Sequence, residues 1–178
     1  MRIITISREY GSGGRELGKL MAESLGYTFF DREIIENIAL EQGENPRAVM
    51  QQSIKGGLLA QEKQILENIA KSGKDCVIVG RNADVFLSDY KPFSIFVCAD
   101  LWTRIKWCRE HHGEDASPEE FEKKIRQIDR SRSEERKAVT QKDWGDHASY
   151  NLTVNTSGWK LEELAPVVAD YAIKWFER

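Results

Sequence analysis

The sequence predicts a single three-layer α/β domain with a parallel sheet at its centre. Short apolar or β-branched runs recur along the chain, and the stretches between them carry helical periodicity. Three of the runs are apolar at nearly every position, as strands covered on both faces must be. Runs alternating with helices in this way build a sheet sandwiched between helical layers. The 178 residues, 40% hydrophobic and 31% charged, suffice for one domain with a substantial core.

The first strand is Ile3-Ile4-Thr5-Ile6, followed by a helix with one face marked by Leu17, Leu20, Met21, Ser24 and Leu25. Tyr27-Thr28-Phe29-Phe30 is the second strand and Cys76-Val77-Ile78-Val79 the third. Phe93 to Cys98 and Leu152-Thr153-Val154 supply the fourth and fifth. Leu161, Leu164, Ala165, Val168, Ala172, Trp175 and Phe176 keep the 3.6-residue period of a C-terminal amphipathic helix. Two segments are too long for simple crossovers. Residues 33–72 are mostly helical, interrupted at Gly43-Glu44-Asn45-Pro46 and again at Gly56-Gly57. Residues 100–147 form a second helical, highly charged excursion with breaks near Gly113 and Ser117-Pro118. Ser117, Pro118 and Glu120 make a good helix start: a capping serine, proline at the first helical position and an acid in the first turn. Two such excursions on one rim of a parallel sheet suggest flaps that close over a ligand. Val49, Leu58, Leu59, Ile65, Leu66 and Ile69 fit either a core or the face of a homodimer.

Between the first strand and the first helix the chain reads SREYGSGGRELGK, Ser7 to Lys19. In an open parallel sheet, ligands sit beyond the carboxyl ends of the strands, where this loop lies. Gly11, Gly13 and Gly14, with Ser12 among them, allow backbone N–H groups to turn inward around an anion. The helix that follows adds about half a positive charge at its start. The pattern therefore points to phosphate binding. It is not the full G-x-x-x-x-G-K-[ST] motif, which supplies a lysine for the β/γ-phosphates and a hydroxyl for Mg²⁺. With Gly13 as the last motif glycine, Arg8 stands at the first glycine and Gly14 at the lysine, and Arg15 is one residue out of register. Glu16 fits a first-turn acid favoured by the helix dipole, or a direct metal ligand.

The net charge of −3 gives no global basicity that would point to nucleic acid, although residues 123–142 hold eight Lys/Arg against three Asp/Glu. That segment lacks interleaved aromatics, which weighs against nucleic acid as a partner. Cys76, Cys98 and Cys108 are an odd set without metal-type spacing, as expected of reduced thiols in a cytoplasm. No apolar run approaches a membrane span, and no signal region precedes the first strand.

Taken together, these motifs resemble the cytidylate kinase-like family of P-loop proteins, related to the nucleoside monophosphate kinases. The first thirty residues run parallel to the family without gaps, from the TIS of the first strand through LGKLMAESLGYTFFD. VGRNAD, Val79 to Asp84, is similar to the Gly-Arg-Asp element after the third strand. KIRQIDRSR, Lys124 to Arg132, is similar to the arginine-rich lid, and Asn155-Thr156-Ser157 to the Asp-Thr-Ser after the last strand. The resemblance implies a three-layer P-loop NTPase fold with a five-stranded parallel sheet of order 2-3-1-4-5 and a helical lid. It implies a phosphotransferase using ATP and Mg²⁺, with a nucleotide or other small phosphorylated molecule as substrate. Residues 33–72 would then be the acceptor-side segment and residues 113–147 the lid. The departures are equally plain: the loop lacks the family's lysine and threonine, Asn37 stands at an acceptor-binding arginine position, and Asn82 replaces the aspartate of Gly-Arg-Asp. They favour, as the alternative, a nucleotide- or phosphate-binding protein without catalysis.

Phosphoryl transfer needs positioning and positive charge around spreading phosphate oxygens. Arg8, Gly11, Ser12, Gly13, Gly14, Arg15 and Glu16 are the expected nucleotide-binding set. Asp31, Arg32 and Arg81 are expected at the acceptor, with Arg81 otherwise a partner of Asp31 or Asp84. Arg8 fits either the anion or an ion pair with Glu9 or Glu33, and Asp31 also suits a helix N-cap. In the lid, Arg126, Arg130, Arg132 and Asp129 are the expected catalytic group. On a continuous helix Arg126 and Arg130 share a face, and Arg132 points about 160° away from Arg130. The bland alternative is a solvated helix laced with i,i+4 pairs. The adjacent His111 and His112 do not share a helix face, so no metal site is assigned there. Trp102, Trp107, Trp159 and Trp175 read as core or interface residues, and Trp144 as a contact for a nucleobase or a partner subunit.

Overall fold

A computed structural model describes residues 1–41, 57–112 and 116–178. Five strands form one sheet: β1 (Ile3–Arg8), β2 (Thr28–Phe30), β3 (Cys76–Val79), β4 (Phe93–Cys98) and β5 (Leu152–Asn155). All neighbours pair in parallel in the order β2-β3-β1-β4-β5. The central strand is β1, with Ile4 opposite Val77 of β3 and Phe93 of β4. The helices are α1 (Gly14–Leu25), α2 (Arg32–Glu41), α3 (Gly57–Lys71), α4 (Ala83–Phe86), α5 (Leu101–His112), α6 (Pro118–Thr140) and α7 (Leu161–Phe176). This is the three-layer P-loop architecture expected from the sequence.

Alternation along the strands splits the core in two. Ile4 and Ile6 point with Val77, Val79 and Ile95 towards Leu17 and Met21 of α1 and Leu164, Val168 and Ala172 of α7. Ile3, Cys76 and Ile78 face the other way, towards Ile35 of α2, Ile65 and Leu66 of α3 and Leu87. A third cluster joins α5 to α6 through Ile105, Cys108, Phe121 and Ile125. Ile65 and Leu66 are therefore core, and Ile69 packs beside them, which removes these three from a homodimer face. Val49 and the breaks at residues 43–46 and at Gly56 and Gly113 lie outside the described residues.

Two sequence expectations shift. Ser24 is exposed, and Gly18 and Ala22 take its place on the buried face of α1, because Val79 presses on α1 where only a small residue fits. Trp102 and Trp159 lie exposed at 67% and 58%, whereas Trp175 packs on Phe93. Ser117 caps α6 as expected: its hydroxyl accepts from Glu120 N–H, and the Glu120 carboxylate accepts from Ser117 N–H.

Candidate active site

Beyond Arg8 the chain leaves the sheet and turns through two left-handed glycines, Gly11 (φ 79°) and Gly13 (φ 72°). Its course is clamped from three sides. Ser12 Oγ donates to the Glu9 carbonyl at 2.9 Å, and Thr156 Oγ1 donates to the Ser12 carbonyl at 2.8 Å. Glu9 Oε2 accepts from Ala99 N–H at 3.1 Å and pairs with Arg104 at 3.4 Å. Tyr10 N–H donates to Asp129 of α6 at 2.8 Å, and Arg104 Nε donates to the Tyr10 carbonyl at 2.7 Å. Among the described residues no protein acceptor meets the N–H groups of Gly13, Gly14, Arg15 and Glu16. Four donors at the mouth of α1, on a loop held rigid by its neighbours, form a ready cradle for phosphate oxygens.

Arginines gather at the carboxyl ends of β1, β2 and β3. Arg8 Nη1 donates to the Gly80 carbonyl at 2.9 Å, and Arg132 of α6 donates to the Arg8 carbonyl at 2.7 Å. Arg132 also lies 5.6 Å above the Tyr10 ring. Arg81 pairs with Glu135, and Arg32 with Glu36 at 2.5 Å. Arg15 leans the other way, holding Asp31 at 2.6 Å and Glu33 at 3.7 Å. Asp31 caps α2 as well, its Oδ1 accepting from Ile34 N–H at 3.0 Å. Burial, then the charges of Arg132, Arg81 and Arg32, lower the Arg8 guanidinium to about 9, with Asp31 opposing. Burial and then Arg81 lower Arg132 to about 10. Burial also raises the Glu62 carboxyl of α3 on the same side, against the pull of Arg81. Among the described residues neither Arg8 nor Arg132 has a carboxylate within the 4.0 Å of an ion pair.

The structure thus brings Arg8, Arg32, Arg81 and Arg132 together near the glycine loop, with Arg15 and Asp31 at its flank. It does not bring in Arg126 and Arg130. Helix α6 is continuous, so these two face solvent in i,i+4 pairs with Glu122 and Glu134, while Arg132 turns inward. Asp129 serves as the anchor between Tyr10 and Arg104. Arg8 pairs with neither Glu9 nor Glu33, and Arg81 with neither Asp31 nor Asp84.

Sequence reasoning missed Arg104 and Arg136. Arg136 is 2% exposed and grips Asp84 with two parallel hydrogen bonds of 2.7 Å. Hydrogen bonding to Asp84 raises the pKa of Arg136 against the opposing effect of burial. The signal was available: Arg136 lies one helical turn beyond Arg132, on the same inward stripe. Asn82 is fully buried, with both amide atoms lacking a protein partner. An aspartate there would bury a charge, whereas the amide stays neutral. Trp144 Nε1 donates to Ser7 at 3.2 Å and its ring meets Phe96 edge-on, so it is part of the fold on this face. Glu16 Oε2 is buried without a partner, beside an open cleft of about 300 Å³ that also touches Leu161 and the stacked pair Trp107–His111.

Comparison with known proteins agrees with this geometry. The cytidylate kinase-like family profile matches residues 3–158. A cytidylate kinase of Haloarcula marismortui is 25% identical over 159 residues, covering 88% of this chain and 82% of that protein. A shikimate kinase of Synechococcus elongatus is 37% identical over 71 residues; the match spans 39% of this chain and only 36% of the relative. Among solved structures, an uncharacterized protein from Eubacterium ventriosum superposes with a TM-score of 0.79 at 23% identity, covering 97% of this chain and 98% of that one. The shikimate kinase of Acinetobacter baumannii, solved with shikimate, gives 0.61 at 17% identity over 98% and 94% of the two chains.

Proposed function

The chain belongs to the cytidylate kinase-like family, and on that footing we propose that it is an ATP-dependent phosphotransferase acting on a small acceptor. The observation that carries this is the pair Arg8 and Arg132: one half-buried and one buried guanidinium beside a glycine loop, neither with a carboxylate within ion-pair distance. Uncompensated buried charge is costly, and an anion at the loop removes that cost. The free N–H groups at the start of α1 hold the phosphate chain, and the cleft beside Glu16 and Trp107 has room for the nucleoside. The residues present fit ATP and Mg²⁺: the cradle is open, and Glu16 Oε2 is a buried hard oxygen without a partner. When bound, Mg²⁺ neutralises charge that builds on the phosphate oxygens during transfer. Arg81, held by Glu135 at the end of β3, and Arg32 orient the acceptor. The described parts of residues 33–72 supply its wall and α6 the lid, with Arg132 as the lid group that meets the transferred phosphoryl.

The test is direct. The protein is incubated with ATP, Mg²⁺ and separate nucleoside monophosphates, with shikimate as a further acceptor suggested by the structural neighbours, and ADP is measured. Release stimulated by one acceptor supports the assignment; absence of turnover with all acceptors, together with no ATP binding by calorimetry, overturns it. One observation favours a second reading, a phosphate-binding protein without catalysis: Gly14 occupies the lysine position, and Arg15, the nearest cation in sequence, is committed to Asp31. Tight ATP binding without ADP release would select that reading.

A further inference from the structure

The loop is missing its lysine, yet the space that lysine would occupy is filled. A β-carbon placed on Gly14 would lie 2.6 Å from Arg8 Cβ and 3.0 Å from Arg8 Cγ. Gly14 is absent from the left-handed residues, so its backbone tolerates a side chain, and the main obstruction is Arg8, with Val97 Cβ next at 3.3 Å. From there the Arg8 side chain runs on to the Gly80 carbonyl, placing its charge between the loop and the end of β3, where Arg81 stands. In the standard motif the first position is glycine and a lysine follows the last glycine. Here the two positions have exchanged character: arginine at the first, glycine at the lysine's.

We infer that Arg8 replaces the loop lysine, delivering its positive charge to the β/γ-phosphate oxygens from the opposite end of the loop, and that Gly14 is glycine to let it pass. The inference rests on the phosphotransferase reading above and deepens it. Arg15, in contrast, is turned towards Asp31 and Glu33 on the flank and is unavailable for this role. Arg132 fixes the Arg8 carbonyl, so the main chain from which the side chain springs is itself held. A planar guanidinium bridges two phosphate oxygens where an ammonium would contact them as a point charge.

The exchange makes a distinctive prediction, because the two positions should be interchangeable only together. Binding of inorganic tripolyphosphate to the full chain is measured by calorimetry, with circular dichroism and thermal melts as controls of folding. Arg8→Met keeps the aliphatic stem over Gly14 and removes the charge; affinity should fall at least tenfold while the fold is retained, and Arg8→Lys should keep most of the binding. Gly14→Lys alone should lower the melting temperature and weaken binding through its collision with Arg8. The double variant R8G/G14K should bind at least tenfold better than R8G. Wild-type protein that binds neither tripolyphosphate nor MgATP overturns the phosphotransferase reading itself. Wild-type binding with Arg8→Met within twofold of it overturns the role of Arg8 alone. A double variant that folds but binds no better than R8G does the same; if it fails to fold, the Arg8→Met and Arg8→Lys pair decides.

Discussion

Arg136, buried, and Arg8, half-buried, are both arginines on the strand-end side of the sheet, but their surroundings differ in kind. Arg136 meets Asp84 in a two-pronged ion pair and lies 5.4 Å over the Tyr150 ring, so its charge is answered within the protein. Arg8 has a carbonyl for a partner, and three like charges outweigh Asp31 among its neighbours. The first arrangement holds α6 onto α4. The second costs stability, and on the proposed reading a bound anion offsets it.

The sharpest way to break this contrast is Arg136→Ala. It strands Asp84 as an unpaired, largely buried carboxylate and should cost about 3–5 kcal/mol of stability, read from chemical denaturation. Arg8→Met should leave stability unchanged or raise it, and equal losses from the two variants would erase the distinction. Next in size, Gly14→Ala forces a methyl group against Arg8 and should cost about 1–3 kcal/mol. If it proves neutral, the tight approach is not a constraint.

A smaller effect comes from pH. The pKa of Arg8 in the fold is lowered to about 9, well below that of an ordinary arginine, by burial and by Arg132, Arg81 and Arg32, with Asp31 in opposition. Below pH 9 the group is charged with or without ligand, and polyphosphate binding carries no proton linkage through it. Above pH 9 binding must restore the proton, so affinity should fall by up to about tenfold per pH unit. Proton uptake, measured by calorimetry at pH 9.5 in buffers of different ionisation enthalpy, should be smaller in Arg8→Met, with Arg132 supplying the remainder. For the fold alone the sign is opposite: above pH 9 the native state releases this proton while the unfolded chain still holds it, so this group makes stability rise with pH. The smallest effect is expected for Arg126→Ala and Arg130→Ala, whose exposed pairs along α6 should each contribute no more than about 0.5 kcal/mol and leave polyphosphate binding unchanged. A tenfold loss of binding in either would return these residues to the site.

The strands were legible because a strand covered on both faces must be apolar throughout; each observed strand begins and ends within two residues of its sequence run. The helix geometry of KIRQIDRSR also showed that Arg132 and Arg130 part company. Which of them faces inward was not legible, since that depends on where α6 lies against β1 and the loop. The acid partners were equally hidden: Glu135 for Arg81 and Asp84 for Arg136 are 54 and 52 residues away, pairings that only the tertiary fold creates. Arg8 and Gly14 were each visible as departures from a motif, but their mutual packing was not, because no local pattern records that one side chain crosses the other's β-carbon.

That crossing also makes the two single replacements in the loop unequal. Between this loop and one with glycine at its head and lysine near its tail lie two amino-acid replacements, hence two intermediates. The intermediate holding both long cations collides at 2.6 Å. The one holding neither keeps its shape and forfeits the charge. One single replacement is thus opposed by strain, and the other by loss of charge alone.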